Sequence, residues 1–211
     1  MQTEYQWRRE NYITEWQQSL VRIGANYKLN QNLLFRIGYA WIETFPYGEI
    51  PLNASGRDFT ERRIFEMVQL SHKEGKLDFA HRYMLEQRFV GRYSTSTMDK
   101  EDEFPLLNRM RYMIKVQLPL KGNEIKDRTP YLAAYNVVFI GFGKNVNANI
   151  FEQNRIGFLV GYRLQSVQLE SGYLNQILQF VRQINGENVF QNNKGLIINA
   201  NFNFNLIKNK I

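Results

Sequence analysis

HRYMLEQRFVGRY, residues 81–93, divides in two when every second residue is taken. Arg82, Met84, Glu86, Arg88, Val90 and Arg92 form one set; His81, Tyr83, Leu85, Gln87, Phe89, Gly91 and Tyr93 form the other. Successive side chains on a strand point to opposite faces. One face of such a strand therefore carries three arginines and a glutamate, and the other is mostly aromatic and apolar.

The same period of two recurs along the chain, in segments bounded by Asn, Gly, Asp or Lys clusters, and helical spacing is scarce. Ten strands are expected, near 2–11, 14–28, 33–44, 61–73, 77–93, 106–120, 131–143, 154–165, 167–181 and 195–207. In 33–44, Leu33, Phe35, Ile37, Tyr39 and Trp41 oppose Arg36, Gly38, Ala40 and Ile42. In 106–120, Met110, Tyr112, Ile114, Val116 and Leu118 oppose Arg109, Arg111, Met113, Lys115 and Gln117. In 154–165, Ile156, Phe158, Val160, Tyr162 and Leu164 oppose Arg155, Gly157, Leu159, Gly161 and Arg163. The last segment sets Leu196, Ile198, Ala200, Phe202 and Phe204 against a row of asparagines. Segment 131–143 is apolar on both faces, and 61–73 does not choose a face cleanly.

Connection lengths alternate as well. KLNQN (28–32), HKEGK (72–76) and LQSVQ (164–168) read as tight hairpins, whereas 45–60, 94–105, 144–153 and 182–194 read as long links. The link at 120–130 falls on the tight side but is longer than its neighbours. One rim of short turns and one of long loops is the pattern of an up-and-down transmembrane barrel, with its short side periplasmic. No Pro/Gly/Ser-rich linker interrupts residues 1–211, so a single domain is expected.

The bulk composition narrows the classes. The 211 residues are 44% hydrophobic and 14% aromatic, with no cysteine, which excludes a disulfide scaffold and thiolate metal sites. The net charge of +7 would suit an anionic headgroup layer, but no Lys/Arg run resembles a nucleic-acid arm. No apolar run approaches the roughly 18–20 residues of a membrane-spanning helix. MQTEYQWRREN, at the start, has no apolar leader core.

Two readings of the alternation stand. In a soluble antiparallel sheet or lipocalin-like barrel the apolar face points inward. In a membrane barrel it faces lipid, and the charged face fills a narrow lumen. The polar faces are rich in Gly, Asn and Arg, and the apolar faces run for about the 9–11 residues that cross a bilayer; both features favour the second. On it, the lumen-lining residues are Arg22, Arg36, Arg82, Glu86, Arg88, Arg109, Arg111, Lys115, Arg155, Arg163 and Glu170. Buried charges must be paired, so the arginines are expected to meet Glu4, Glu86 and Glu170. Gly24, Gly38, Gly157, Gly161 and Gly172 would leave room for the guanidinium groups, and Tyr5, Trp7, Tyr12, Trp16, Trp41, Phe45, Tyr93, Tyr112 and Tyr173 would form interfacial girdles.

TEYQWRREN (3–11), GYAWIETFPYGE (38–49), the opening stretch (81–93), LLNRMRYMIKVQLPLKG (106–122), FIGFGKNV (139–146), FEQNRIGFLVGYR (151–163) and GYLNQ (172–176) together resemble the domain-of-unknown-function 2490 family, in order along essentially the whole chain. The resemblance implies a predicted outer-membrane β-barrel of the kind common in Bacteroidota. It also implies a leader and an upstream strand ahead of TEYQWRREN, so that the barrel would have ten to twelve strands. It implies no catalytic residue.

Sites of chemistry are few. Only two histidines occur: His72, beside Ser71 at a turn, and His81, in the lipid-facing register. Asp99, Glu101, Asp102 and Glu103 cluster in a long link, which suits either a divalent cation or a solvated loop. No metal, cofactor or nucleic acid is expected. The expected partners are outer-membrane lipid and lipopolysaccharide, with protein partners in an envelope complex. The expected role is a non-enzymatic, structural or interaction one in the outer membrane of a Gram-negative bacterium. A small anion-preferring channel lined by the arginines is the alternative, and a lipid-modifying enzyme using His81 or His72 is a third.

Overall fold

The computed structural model describes residues 1–10, 13–48, 50, 52–53, 55–146 and 150–204. They form one antiparallel sheet whose order follows the chain, β1-β2-β3-β4-β5-β6-β7-β8-β9-β10. The strands are β1 (Gln2–Glu10), β2 (Glu15–Lys28), β3 (Leu33–Thr44), β4 (Phe59–Glu74), β5 (Leu77–Val90), β6 (Leu106–Pro119), β7 (Thr129–Phe142), β8 (Phe151–Leu164), β9 (Val167–Ile184) and β10 (Glu187–Phe202). Every neighbouring pair is an up-and-down hairpin, and the sheet curls so that side chains from β5 and β8 meet across its concave side. Among the described residues β1 and β10 do not pair, so the sheet is curled with two free edges.

The tight turns have local causes. Between β2 and β3, the Asn30 side chain accepts from the Asn32 and Leu33 amides at 2.8 and 2.9 Å, closing the link. Between β9 and β10 the turn is Asn185-Gly186, both in the left-handed region (φ 53° and 81°), as a two-residue primed hairpin turn requires. This corrects the expectation of a long link at 182–194. Those residues extend β9 and β10 instead, and the Asn-Gly pair is the signal for it. The links at 45–58, 91–105 and 143–150 lie on one rim, and the opposite rim carries a link of comparable length at 120–128.

The curl assigns the two faces of the alternation. In β5, Met84 and Glu86 are 2% and 0% exposed, whereas Tyr83 and Leu85 are 50% and 39% exposed. The charged register faces the concave side and the apolar register faces out, which is the reverse of a soluble half-buried sheet. The outer face is apolar on strand after strand: Val21 and Ile23 on β2, Ile37 and Trp41 on β3, Phe158 and Val160 on β8, Leu196 and Ile198 on β10 are all exposed. The polar side chains within this belt bond to one another. Gln87 donates to Glu66 at 3.3 Å, and Asn136 and Asn154 pair at 3.2 Å.

The core is the interior of the curl. Leu20, Ala40 and Ile42 form one buried cluster; Phe65, Met67 and Met84 a second; Tyr131, Ala133 and Leu159 a third. The glycines serve this core differently from expectation. Gly24 does lie against a guanidinium stem, since a Cβ there would stand 3.1 Å from Arg36 Cδ. Gly38, Gly157 and Gly161, however, lie under the rings of Phe65, Tyr135 and Tyr131, each the directly paired residue on the next strand. Gly172 is needed for close approach of the β8 backbone. A ring laid over a glycine fills the narrow lumen with about 1.5–3 kcal/mol of apolar burial per side chain, which an arginine could not provide.

Of the expected girdle, Trp7 and Trp16 meet edge-on at 6.0 Å and Trp16 meets Phe45 at 5.7 Å on the long-link rim, with Arg9 over Trp16 at 3.7 Å. Tyr5, Trp41 and Tyr173 are exposed on the outer face. Tyr112 belongs to a second aromatic group, with Tyr83 at 4.8 Å and the stacked rings of His81, His72 and Phe79. Tyr93 lies instead in the 91–105 link, donating to the Asp58 carbonyl at 3.0 Å. Tyr12 lies outside the described residues.

Candidate functional site

The inward registers of β4, β5, β6 and β8 bring six charged groups into a closed ring. Glu61 accepts from Arg88 Nε at 2.6 Å and Nη2 at 3.0 Å. Arg88 Nη1 then donates to Glu152 at 2.7 Å, and Glu152 also accepts from Arg109 Nη1 at 2.7 Å. Arg109 donates to Glu86 Oε2 through Nε at 2.7 Å and Nη2 at 2.6 Å. Arg63 closes the ring, 3.6 Å from Glu86 and hydrogen-bonded to Glu61. Arg111 lies at the edge of the ring, 3.9 Å from Glu86. Glu61, Glu86 and Arg109 are almost wholly buried. Charges removed from water to this degree hold their places only when each is paired and hydrogen-bonded, and the ring achieves this through alternating signs.

A second polar group sits toward the short-turn rim. Lys115 pairs with Glu170, which also accepts from Tyr131 Oη at 3.0 Å and from Asn199 Nδ2 at 3.2 Å. A third joins Arg22 to Glu4 at 3.0 Å between β1 and β2.

All eleven residues expected to line the lumen belong to the inward register, and none points into the outer belt. The expected pairing is met only in part. Arg22 meets Glu4, Arg109 and Arg111 meet Glu86, and Lys115 meets Glu170. Arg36 instead donates to Asn26 at 2.6 Å, Arg82 to Gln69 at 3.4 Å, and Arg155 to Gln153 at 3.1 Å. Arg163 makes no ion pair among the described residues.

Three members of the ring had not been singled out. Glu61 and Arg63 belong to the segment whose faces were ambiguous in sequence, because Arg62 and Glu66 put charge on its outer face too. Glu152 is out of phase with Arg155. A bulge where Phe139 pairs with Gln153 and Ile140 with Phe151 inserts one residue into β8. The insertion turns Glu152 and Gln153 both inward.

Described residues of the 45–58 link stand at the mouth of this lumen. Tyr47 and Leu52 enter the wall of a cavity of about 100 Å³ that the ring also lines, and the Gly48 amide donates to Glu10 at 3.3 Å. Burial pushes the Tyr47 phenol above its ordinary pKa, against the pull of Arg8 and Arg155 beside it, so at neutral pH it is a hydrogen-bond donor. The 91–105 link is tied to the first through Arg57, which donates to the Ser96 carbonyl at 3.3 Å. Two of its acidic residues accept from backbone amides: Glu101 from Thr60 at the start of β4 at 2.5 Å, and Asp102 from Ser94 within the link at 2.8 Å.

The histidines sit on the outer face. Their rings stack at 5.3 Å, and His81 Nδ1 lies 2.8 Å from Tyr112 Oη. Neither reaches the charged lumen.

The family model described as "Protein of unknown function (DUF2490)" matches residues 1–186. The chain belongs to this family. No curated protein and no solved structure matches it. In this DUF2490 chain the match covers β1 to β9 and all of the ion ring, and it stops before β10 begins.

Proposed function

We propose that this DUF2490 chain is an integral outer-membrane protein of a Gram-negative bacterium, with a filled lumen and a non-enzymatic, structural or interaction role. The observation that carries the reading is the inverted polarity of the curl, with a continuous apolar belt outside and paired charge inside. Monomeric soluble proteins rarely expose contiguous apolar patches beyond a few hundred Å², and here every strand contributes. Most strands are 12 to 16 residues long, enough for the roughly 9–11 that cross a bilayer. Lipid and lipopolysaccharide would contact the belt and the aromatic rims. The tied links at 45–58 and 91–105 offer the surface for a protein partner in an envelope complex.

Fractionation of a Gram-negative host tests the location: the chain should be recovered in the outer membrane and require detergent for extraction. Phe158 lies at the middle of β8 on the outer face. An arginine there should cost about 2–4 kcal/mol of membrane stability and reduce insertion. A chain that stays soluble without detergent, or a Phe158→Arg variant that inserts normally, would overturn the reading. Isolation from native membranes with no accompanying protein would remove the interaction role.

Anion conduction is a second reading, supported by the excess of arginine in the lumen. Against it stand the bridges from Glu152 to Arg88 and Arg109, which cross the bore. Anion-selective steps in planar bilayers, abolished by changing Arg82 and Arg88, would favour the channel over the plug.

A further inference from the structure

We propose that the lumen holds a small tetrahedral oxyanion of the phosphate or sulfate class, bound by Arg8 and Arg155 under the Tyr47 lid. The site is built from half-buried side chains around the cavity of about 100 Å³. A water needs only about 10–15 Å³ of such space, so the cavity has room for a free inorganic ion.

The charge balance points to an anion. Seven arginines line the cavity against two carboxylates, Glu61 and Glu152. Adding Glu4 and Glu86, which pair with lining arginines, still leaves three positive charges in excess. The ion ring satisfies Arg63, Arg88 and Arg109. Arg8 and Arg155 hydrogen-bond to neutral amides, Gln6 at 2.8 Å and Gln153 at 3.1 Å, and Arg155 also lies against the Phe139 ring. Among the described residues neither has a carboxylate within ion-pair distance, and both line the cavity together with Tyr47.

Guanidinium groups removed from water with no counter-charge are costly. Their forked donors match an oxyanion bidentately. Arg8 from β1 and Arg155 from β8 would grip it from two sides. Tyr47, neutral and donating, would cap it from the 45–58 link. The inference concerns the lumen and does not depend on the outer belt or on the bilayer.

The test is calorimetric titration of the full chain in detergent micelles with inorganic phosphate, then with sulfate and with phosphoethanolamine. One saturable site for the inorganic ions is expected. Arg8→Gln and Arg155→Gln should each weaken binding by about tenfold or more, the effect of losing one hydrogen bond to a charged group. Arg36→Gln removes a lumenal arginine that does not line the cavity, and it should leave binding unchanged. Arg155→Lys keeps the charge without the fork and should recover part of the loss.

No saturable binding by the wild-type chain would overturn the proposal. So would an equal loss in Arg36→Gln, which would mean diffuse attraction by net charge. Binding of phosphoethanolamine in place of the inorganic ions would make a lipid headgroup the ligand and would overturn the free-ion assignment. Because binding is read in micelles, its failure leaves the membrane reading intact, and failure of membrane insertion leaves the binding result intact.

Discussion

Replacing Glu86 with glutamine tests whether the lumen is a dry plug or a watered bore. Glu86 is fully buried and accepts two charge-assisted hydrogen bonds from Arg109, at 2.6 and 2.7 Å, with Arg63 at 3.6 Å and Arg111 at 3.9 Å. The amide keeps the shape and one acceptor oxygen but removes the only charge that these three guanidiniums share. Breaking a buried pair by removing one partner costs about 3–5 kcal/mol. Arg109 retains Glu152 at 2.7 Å, so the lower end applies, near 3 kcal/mol, or roughly 150-fold in the unfolding equilibrium. In a water-filled lumen the same contact at about 4 Å would be worth only about 1 kcal/mol. Denaturant unfolding in micelles, followed by the fluorescence of Trp7, Trp16 and Trp41, separates the two values. A second variant, Glu86→Leu with Arg109→Leu, removes both partners and should cost less than Glu86→Gln alone. A single-variant loss below about 1 kcal/mol, or a double variant worse than the single, would refute the dry-ring account.

Gly161→Val should destabilise by about 1–3 kcal/mol through overpacking, because its first side-chain carbon already meets the Tyr131 ring; the same denaturant assay reads it, and a neutral result would mean the ring is free to move. The Asp102 carboxyl is held below its ordinary value near 3.8 by the Ser94 hydroxyl and amide. A depressed folded pKa gives stability that is present above the unfolded value and lost as pH falls through the folded one, so the 91–105 link should stay protected at pH 5 and loosen only below 3.8; amide exchange of that link checks it, and loosening at pH 5 would refute it. Hydrocarbon does not tolerate bare strand edges, so the outer-edge amides of β1 and β10 should be protected from exchange in lipid bilayers, and fast exchange of both there would count against spanning.

The strands were legible because a curl with charge inside and apolar side chains outside leaves one polar and one apolar face on most strands, and a period of two survives errors in its bounds. The opening stretch gives the limit of that legibility. Its residues 81–90 alternate as read, but the strand ends at Val90, and Arg92 leaves the lumen to pair backbone with Glu103 in the link. Alternation fixes the face of an arginine but not its partner. Arg88 finds Glu61 on the adjacent strand and Glu152 three strands away, and the second contact depends on the curl and on a bulge. A bulge breaks the phase that makes strands readable, so the residue it re-aims is the one such reading loses. The Asn185-Gly186 turn was missed for a simpler reason: the asparagines around it suggested a loop, while the turn residues themselves specified a hairpin.

The arginine bias of the lumen follows from its geometry. A narrow curl leaves an inward side chain little room, and bulk there comes from rings over glycines or from long stems ending in planar heads. At Phe139 a ring and planar heads meet, with Arg109, Arg111 and Arg155 around it at 4.9, 5.4 and 5.0 Å. Cation–π contacts of this kind hold a guanidinium in place, yet they leave its charge unneutralised. Glutamate is too short to bridge the bore except where another strand or a bulge brings it forward, as for Glu152. Packing therefore favours more arginines than there are places for carboxylates, and the surplus gathers where the ion ring ends, at Arg8 and Arg155. The plug and the anion site then share one cause: the same side chains that close the lumen leave arginines short of partners at its mouth, and the forked donors of those arginines match an oxyanion.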